Sequence, residues 1–567
     1  MKKTFLLSCL MLAAMPVMAA YTGHVYVDKN KNGVFDQSEK PLAGIKVSDG
    51  LNVVETAADG SFTLPGHERE RFIFITTPSG YKTFNRHYHK IEKKQSGYDF
   101  GLIPYSGRIR KNGSHRYIHI ADTEIFNTEN HADWVNNVRD YARNEQAAFI
   151  IHTGDICYEK GLKAHIKLMN TENMDCPVFY CIGNHDLVKG KYGEELFESI
   201  YGPVYYSFDA GNVHYVVTPM PGGDHAPGYT SDDVCRWLKN DLAHIRPGTP
   251  VVVFNHDLLT YEDTFIFKSK NAGSINLNEY NLKAWVYGHW HINYMKKQGD
   301  VYSVCTSSLD KGGIDHSTTA FRVMHVDSKG DFTSELRYTY LDKNICIASP
   351  AGVMASGVLP VAVNVYSSVS PVKEVLYTCL ADGKPVLKNK RLLQSTDWSW
   401  NGELPLSHKY VGKELTLRVT ARFNNGEIAE AESHFICRTE KAVPLFSADW
   451  DNLSGNAKHS APVSAPLNLP LQLAWTNNVG ANLYMTSPLI HKGKVIVASV
   501  DEDLKGAGHV YALNGKDGTI LWSCPVRNSI KNSIAVDSDI VFAQDAQGFL
   551  YACLLYTSPS PRDPKTS

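Results

Sequence analysis

Five short polar clusters between positions 119 and 291 carry the residue types that bind divalent metals or move protons. They are Asp122-Thr123-Glu124, Gly154-Asp155-Ile156-Cys157-Tyr158, Gly183-Asn184-His185-Asp186, Asn255-His256-Asp257 and Gly288-His289-Trp290-His291. Carboxylate and amide oxygens with imidazole nitrogens form a donor set suited to borderline metals such as Zn, Mn or Fe. Each cluster follows a short apolar run (YIHIA, FIIHT, VFYCI, VVVF and AWVY, in that order). Runs this short and this rich in Val, Ile, Phe and Tyr read as buried strands. The clusters therefore fall at C-terminal strand ends, where open α/β sheets place their ligand sites.

The surrounding elements supply the frame. Over 107–343, strands alternate with helical segments at 132–145, 161–173, 193–201 and 231–244, and the strands VYSVCTSS, AFRVMHVD and SELRYTYL follow. This pattern predicts an α/β sandwich of two sheets. The 231–244 helix opens on Ser231-Asp232-Asp233 and stops before Arg246-Pro247-Gly248. Residues 21–106 alternate strand and turn and predict a small antiparallel β domain. Within it, Asp28, Asn30, Asn32, Val34, Asp36 and Glu39 fall at the ligand positions of the calcium-loop pattern D-x-[DN]-x-[DN]-G-x₅-E, with Gly33 at the sharp turn. The flanks are strands, so the loop is not an EF-hand; a structural calcium site and a plain polar turn are both open. Residues 344–440 are strand-rich, with Ala381-Asp382-Gly383 and Asn424-Asn425-Gly426 as hairpin turns, and predict an Ig-like sandwich.

Composition bounds the function classes. The chain has 567 residues, a formal net charge of −2 and 11% aromatic residues. That length predicts several domains, and the balanced charge carries no nucleic-acid footprint. Met1-Lys2-Lys3, the apolar Phe5 to Ala14 and the small residues of Val17-Met18-Ala19-Ala20 read as a signal peptide over 1–20. Export to the periplasm or cell surface is expected, with no membrane span after cleavage. Of the 11 cysteines, nine lie outside the signal segment and the tail; they lack C-x-x-C spacing, and most are expected to be buried apolar residues rather than a disulfide framework.

The C-terminal part is repetitive. Residues 441–470 read as a linker rich in Ser, Ala, Pro and Asn. From 471 to 552 a unit recurs every 40 to 47 residues: Leu473-Ala474-Trp475 returns as Ile520-Leu521-Trp522, and Gly508-His509-Val510-Tyr511-Ala512 as Gly548-Phe549-Leu550-Tyr551-Ala552. VYALNGKDGTILW resembles the repeat of PQQ-like β-propellers, which implies an incomplete propeller able to bind an envelope glycan or protein. Residues 553–563 resemble a translated sequencing adapter, and no function is read from 553–567.

Taken in order, the five clusters resemble those of the calcineurin-like metallophosphoesterase superfamily, and residues 21–106 look like the β domain that precedes certain of its exported members. The resemblance implies a multidomain chain: an α/β-sandwich metallophosphoesterase core flanked by an N-terminal all-β domain, an Ig-like sandwich and the partial propeller. It implies two transition-metal ions, Mn, Zn or Fe. One would take Asp122, Asp155 and His291, and the other Asp155, Asn184, His256 and His289, with Asp155 bridging. His289 and His291 can both face the metals only if the backbone bends, which Gly288 is expected to permit. A bridging hydroxide would attack a phosphomonoester or phosphodiester, and His185, oriented by Asp186, would protonate the leaving oxygen. His152, Thr153 and Asp257 are candidates for fixing ligand orientation.

One departure stands out. Position 124 is Glu where most of the family has His. Three readings follow: Glu124 ligates the first metal, Tyr158 does so in the manner of purple acid phosphatases, or the first site is weak. Substrate contacts are expected from the loop carrying Asp224, His225 and Tyr229, and Tyr261 to Ile275 forms a second candidate lid. The competing function is a cell-envelope glycan- or protein-binding protein whose phosphoesterase domain is degenerate.

Overall fold

In the computed structural model, which describes residues 20–440, 449–460, 473–484 and 486–556, the five apolar runs are strands of two central sheets. The signal-peptide reading falls almost wholly on residues outside this range, as do much of the linker and the tail from 557. Among the described residues no helix is long and apolar enough to cross a membrane.

The first sheet has the order Val178–Tyr180, Phe149–His152, His115–Ile120, Ala320–Val326, Phe332–Tyr338; its first three strands are parallel. The second has Tyr206–Ala210, Val213–Val217, Val251–Phe254, Leu282–Tyr287, Val301–Cys305, Tyr294–Gln298, with parallel pairing through its middle four. Parallel strands are buried on both faces, which is why these runs are continuously apolar. An aromatic layer fills the space between the sheets: Tyr117 stacks on Phe149 at 4.7 Å, and Tyr215 stacks on Phe254 at 5.6 Å. Helices Ala132–Asn144 and Tyr158–Leu168 bury Trp134, Val138 and Leu162 against the first sheet. Helix Ser231–Ala243 sets Cys235, Trp237 and Leu238 against the second. Its cap is Thr230, one residue before the expected start, in a reciprocal pair with Asp233 at 2.9 and 3.2 Å.

The N-terminal region is two small sheets on a core that includes Val25, Val47, Phe62 and Ile73. It is not purely antiparallel: Tyr21–Val27 pairs in parallel with Phe100–Pro104, because the chain crosses the whole domain before returning. Its docking onto the central body is both apolar and charged. Phe72, Phe74 and Tyr88 enter the central core, and Arg71 reaches Glu194 and Glu198, each at 2.7 Å.

Residues 344–438 form two sheets packed face to face around Val363, Val375, Tyr377 and Leu417. Trp400 is buried there. Beyond it lie a four-stranded antiparallel sheet from Leu489–His491 to Ile520–Pro525 and a three-stranded one from Ala535–Asp537 to Leu550–Leu554. The last strand runs through Cys553 and Leu554, which pair with Val541 and Ile540. This C-terminal unit sits on the central body. Arg322 is fully buried against Asp503, and Lys531 bonds Asp315 at 2.7 Å, Glu502 at 2.8 Å and the Asn293 carbonyl at 2.7 Å. The ten described cysteines are free thiols.

Candidate metal centre

The strand ends converge. Donor atoms of Asp122, Asp155 and His291 lie within 4.8 Å of one another, and so do those of Asp155, His256 and His289. Asp155 belongs to both groups. Asn184 joins from the 3₁₀ turn Asn184–Asp186, where its buried side-chain oxygen has no hydrogen-bond partner.

The backbone pays a conformational cost to present these groups. Asp122, Glu124, Asp155, Cys157, Tyr158, His289 and His291 all have φ between 44° and 81°. Left-handed conformations are unfavourable for such residues and gather where surrounding contacts enforce them, commonly at functional sites. This changes the reading of Gly288. The bend is taken by His289 and His291 themselves. Gly288 is needed for a different reason: a Cβ there would sit 2.8 Å from Asp122 Oδ2 and 2.7 Å from the Ala121 side chain. That close approach lets the His289 N–H donate to both Asp122 oxygens at 3.1 Å.

The rings are oriented from behind. The Nδ1–H of His256 donates to the Thr153 carbonyl at 2.7 Å, which turns Nε2 toward Asp155 Oδ2 at 3.1 Å and Asp122 Oδ1 at 3.9 Å. Thr153 in turn bonds His119, and His119 bonds Thr306, through side chains at 2.8 and 2.9 Å. His152 bonds the Thr123 hydroxyl at 3.0 Å. Asp257 accepts from Trp290 Nε1 at 3.2 Å, fixing the residue between the two histidines.

The electrostatics call for cations. Burial pushes the Asp122 carboxyl well above the usual carboxylate range; His256 opposes this while Asp155 and Glu124 add to it. Burial also opposes charge on His256, but Asp155 and then Asp122 outweigh it and lift the imidazole to about 9. Buried carboxylates that close together must either take up a proton or have positive charge among them. Together with the unpartnered Asn184 oxygen, this donor set fits metal ions.

The open side of the cluster holds Glu124. Glu124 Oε1 lies 3.6 Å from His291 Nε2, which lies 3.6 Å from Asp122 Oδ1. Tyr158 begins its helix with its ring exposed, packed over His185 at 5.2 Å and Phe126 at 6.4 Å. Glu124 thus reaches the edge of the ligand cluster through His291, and Tyr158 stands beside it over His185.

Around His185 the structure corrects two expectations. Asp186 does not orient it: its carboxylate is buried and accepts from the Cys157 and Gly183 N–H groups at 2.8 and 2.9 Å. Burial, then Asp155, raises that carboxyl to about 6. The partner of His185 is Asp224, whose Oδ2 lies 2.9 Å from Nδ1, while the His185 backbone N–H donates to Asp155 Oδ1 at 3.0 Å. Burial works against protonation of the ring, but the Asp224 hydrogen bond and Asp155 raise its pKa overall. Tyr229, expected as a substrate contact, is buried with its hydroxyl on the Met220 carbonyl at 2.5 Å; His225 is exposed. The second candidate lid contains the hairpin Ile266–Lys268 and Ser274–Asn276. It walls a cavity of about 640 Å³ that also touches Asn255 and Asp257.

The 28–39 loop is closed by its own hydrogen bonds. Asp28 accepts from the Asn32 and Gly33 N–H groups at 3.2 and 2.9 Å, and Glu39 accepts from Lys29 and Asp36 at 2.8 and 3.2 Å. Asn30 and Asn32 turn their amides to Asp36 at 2.7 and 3.1 Å. Val34 is exposed.

Sequence reasoning missed Lys311, whose Nζ donates to the Glu124 carboxylate at 3.1 Å and to its carbonyl at 3.0 Å. The stretch Ser308-Leu309-Asp310-Lys311-Gly312-Gly313 reads as a surface turn and carries no signal of a site.

Comparison with known proteins agrees with this geometry. Residues 115–293 match the family described as calcineurin-like phosphoesterase, and residues 29–104 match the N-terminal domain of calcineurin-like phosphoesterase. Purple acid phosphatase 13 of Arabidopsis thaliana is 26% identical over 215 residues, which are 35% of this chain and 36% of that protein. The chain thus spans about a third of that relative. Among solved structures, a predicted phosphoesterase from Streptococcus pneumoniae is 10% identical with a TM-score of 0.19, covering 40% of this chain and 98% of that one. BamB from Moraxella catarrhalis is 12% identical with a TM-score of 0.13, covering 41% of this chain and 66% of that one. The two strand-end donor sets thus lie in a calcineurin-like phosphoesterase domain at 115–293, preceded at 29–104 by that family's N-terminal domain.

Proposed function

We propose that this chain is an exported metal-dependent phosphoesterase hydrolysing a phosphomonoester or phosphodiester. The observation that carries the reading is the sharing of Asp155 between two donor sets, with the unpaired Asn184 oxygen beside them. Asp122, Asp155 and His291, with Glu124 at the edge, would hold one ion; Asp155, Asn184, His256 and His289 would hold the other. Bound there, two transition-metal ions supply Lewis acidity, offsetting the phosphate's charge and easing the ionisation of water.

The chain's own residues do the rest. The Thr153 carbonyl keeps the His256 proton on Nδ1, so Nε2 offers its lone pair to the centre. Asp224 receives the Nδ1–H of His185 and leaves Nε2 free to deliver a proton to the departing oxygen. The Asp155 contact to the His185 backbone ties that acid to the ligand cluster. We read the two C-terminal sheets as propeller blades that bind an envelope glycan or protein, and the 344–438 sandwich as an Ig-like module.

The test uses p-nitrophenyl phosphate and bis(p-nitrophenyl) phosphate with Mn, Zn or Fe. Wild type should turn over at least one of them, and Asp155→Asn should be slower by about three orders of magnitude or more. Equal background rates with every metal would sink the enzyme reading and leave an envelope-binding protein with a degenerate domain.

A further inference from the structure

The open edge of the metal centre carries a cation that the donor sets do not use. Lys311 lies in the turn between the strand Val301–Cys305 and the strand Ala320–Val326. That turn is fastened to the site. The Ile314 N–H donates to the His291 carbonyl at 2.9 Å, Gly312 N–H bonds Ser308 O at 3.0 Å, and the Thr339 hydroxyl bonds the Leu309 carbonyl at 3.0 Å. The ammonium is held by two bonds to one residue, Glu124, whose other carboxylate oxygen faces His291. Glu124 therefore joins the ligand cluster on one side to a fixed positive charge on the other.

A stabilising role alone explains little. The Lys311 side chain is 46% exposed, and ion pairs that open contribute at most about 1 kcal/mol. The location matters more. Glu124 and Asp224 bring negative charge to the rim that an anionic substrate must cross, and Lys311 offsets it on the Glu124 side. A phosphomonoester carries two negative charges near neutral pH, whereas a diester carries one, so a fixed ammonium at this edge favours the monoester.

We propose that Lys311 is a substrate-contacting, specificity-determining residue: positioned by Glu124, it binds a peripheral oxygen of the phosphate and selects dianionic phosphomonoesters over monoanionic diesters. This rests on the phosphoesterase reading above.

The experiment uses the full metal-loaded chain as wild type, Lys311→Met and Lys311→Arg. For Lys311→Met, kcat/KM for p-nitrophenyl phosphate should fall about 10- to 100-fold, and that for bis(p-nitrophenyl) phosphate by less than about threefold. Lys311→Arg should recover most of the loss, with metal content the same in all three proteins. An equal fall for both substrates, no fall for the monoester, or loss of metal in Lys311→Met would overturn the proposal. Calorimetry with inorganic phosphate gives a readout that does not require turnover. Lys311→Met should bind about tenfold more weakly, and unchanged affinity would reject the role of Lys311 even in a protein that hydrolyses neither ester. Absence of turnover in wild type with weakened phosphate binding in the variant would instead count against the esterase reading while keeping the Lys311 contact.

Discussion

The two corners of the metal centre are built differently. At one, His256 is fully buried, its ring aimed by a backbone carbonyl, with Asp155 and Asn184 beside it. At the other, the His291 and Glu124 side chains are 26% and 24% exposed, and a lysine on a surface turn reaches in. The buried corner draws its residues from strand ends deep between two sheets, so their positions follow from the core. The open corner depends on a turn and on Glu124, a half-buried carboxylate at its edge. Charge in the buried corner is dictated by packing; in the open corner it can be exchanged for selectivity.

That contrast sets an order of effects. His256→Ala should cost most, removing a ligand that nothing nearby can replace: activity should drop by about three orders of magnitude, with metal content by mass spectrometry falling too. His291→Ala should cost about tenfold less, because Glu124 stands next to it; equal losses would erase the distinction between the corners.

Asp224→Asn tests the acid. Losing the carboxylate that receives the His185 N–H should lower kcat about 10- to 100-fold with metal content intact. Asp224 raises the His185 pKa, so its removal lowers it. The protonated acid then disappears at lower pH, and the alkaline limb of the kcat profile should move toward acid. A limb that stays in place would assign the proton to another group.

The smallest effect belongs to Tyr158→Phe. With the ring exposed and packed over His185, metal content should not change, and the iron-loaded protein should lack a tyrosinate charge-transfer band. A visible band lost in the variant would return Tyr158 to the open corner as a ligand.

How much of this could be read from the sequence follows the same division. The five strand-end clusters were legible because parallel strands buried on both faces leave continuous apolar runs with polar residues only where they stop. The pairing of His185 was not. Asp186 is its neighbour in sequence, but the turn Asn184–Asp186 sends that carboxylate back to the Gly183 and Cys157 N–H groups, and the partner comes from a loop 39 residues away. The loop carrying Asp224, His225 and Tyr229 reads as a source of substrate contacts, yet Tyr229 anchors it by burying its ring. The left-handed backbone at His289 and His291 leaves no mark in residue type, since it is imposed by the contacts around it. Lys311 was invisible because its meaning depends on Glu124, 187 residues earlier.

The contacts of the C-terminal unit bear on when the centre becomes complete. The segment from Asn293 to Asp315 follows His291 and carries Lys311, and it is fastened by Lys531; Arg322, which bonds Thr306, is closed off by Asp503. During synthesis the ligands emerge long before these partners do. Until the last sheets fold, Arg322 keeps Thr306 and Ser334 but lacks the Asp503 carboxylate and the cover that Glu502 and Asp503 give it. The open corner therefore rests on contacts made by a unit that lies far along the chain, whereas the candidate ligands themselves all precede residue 292.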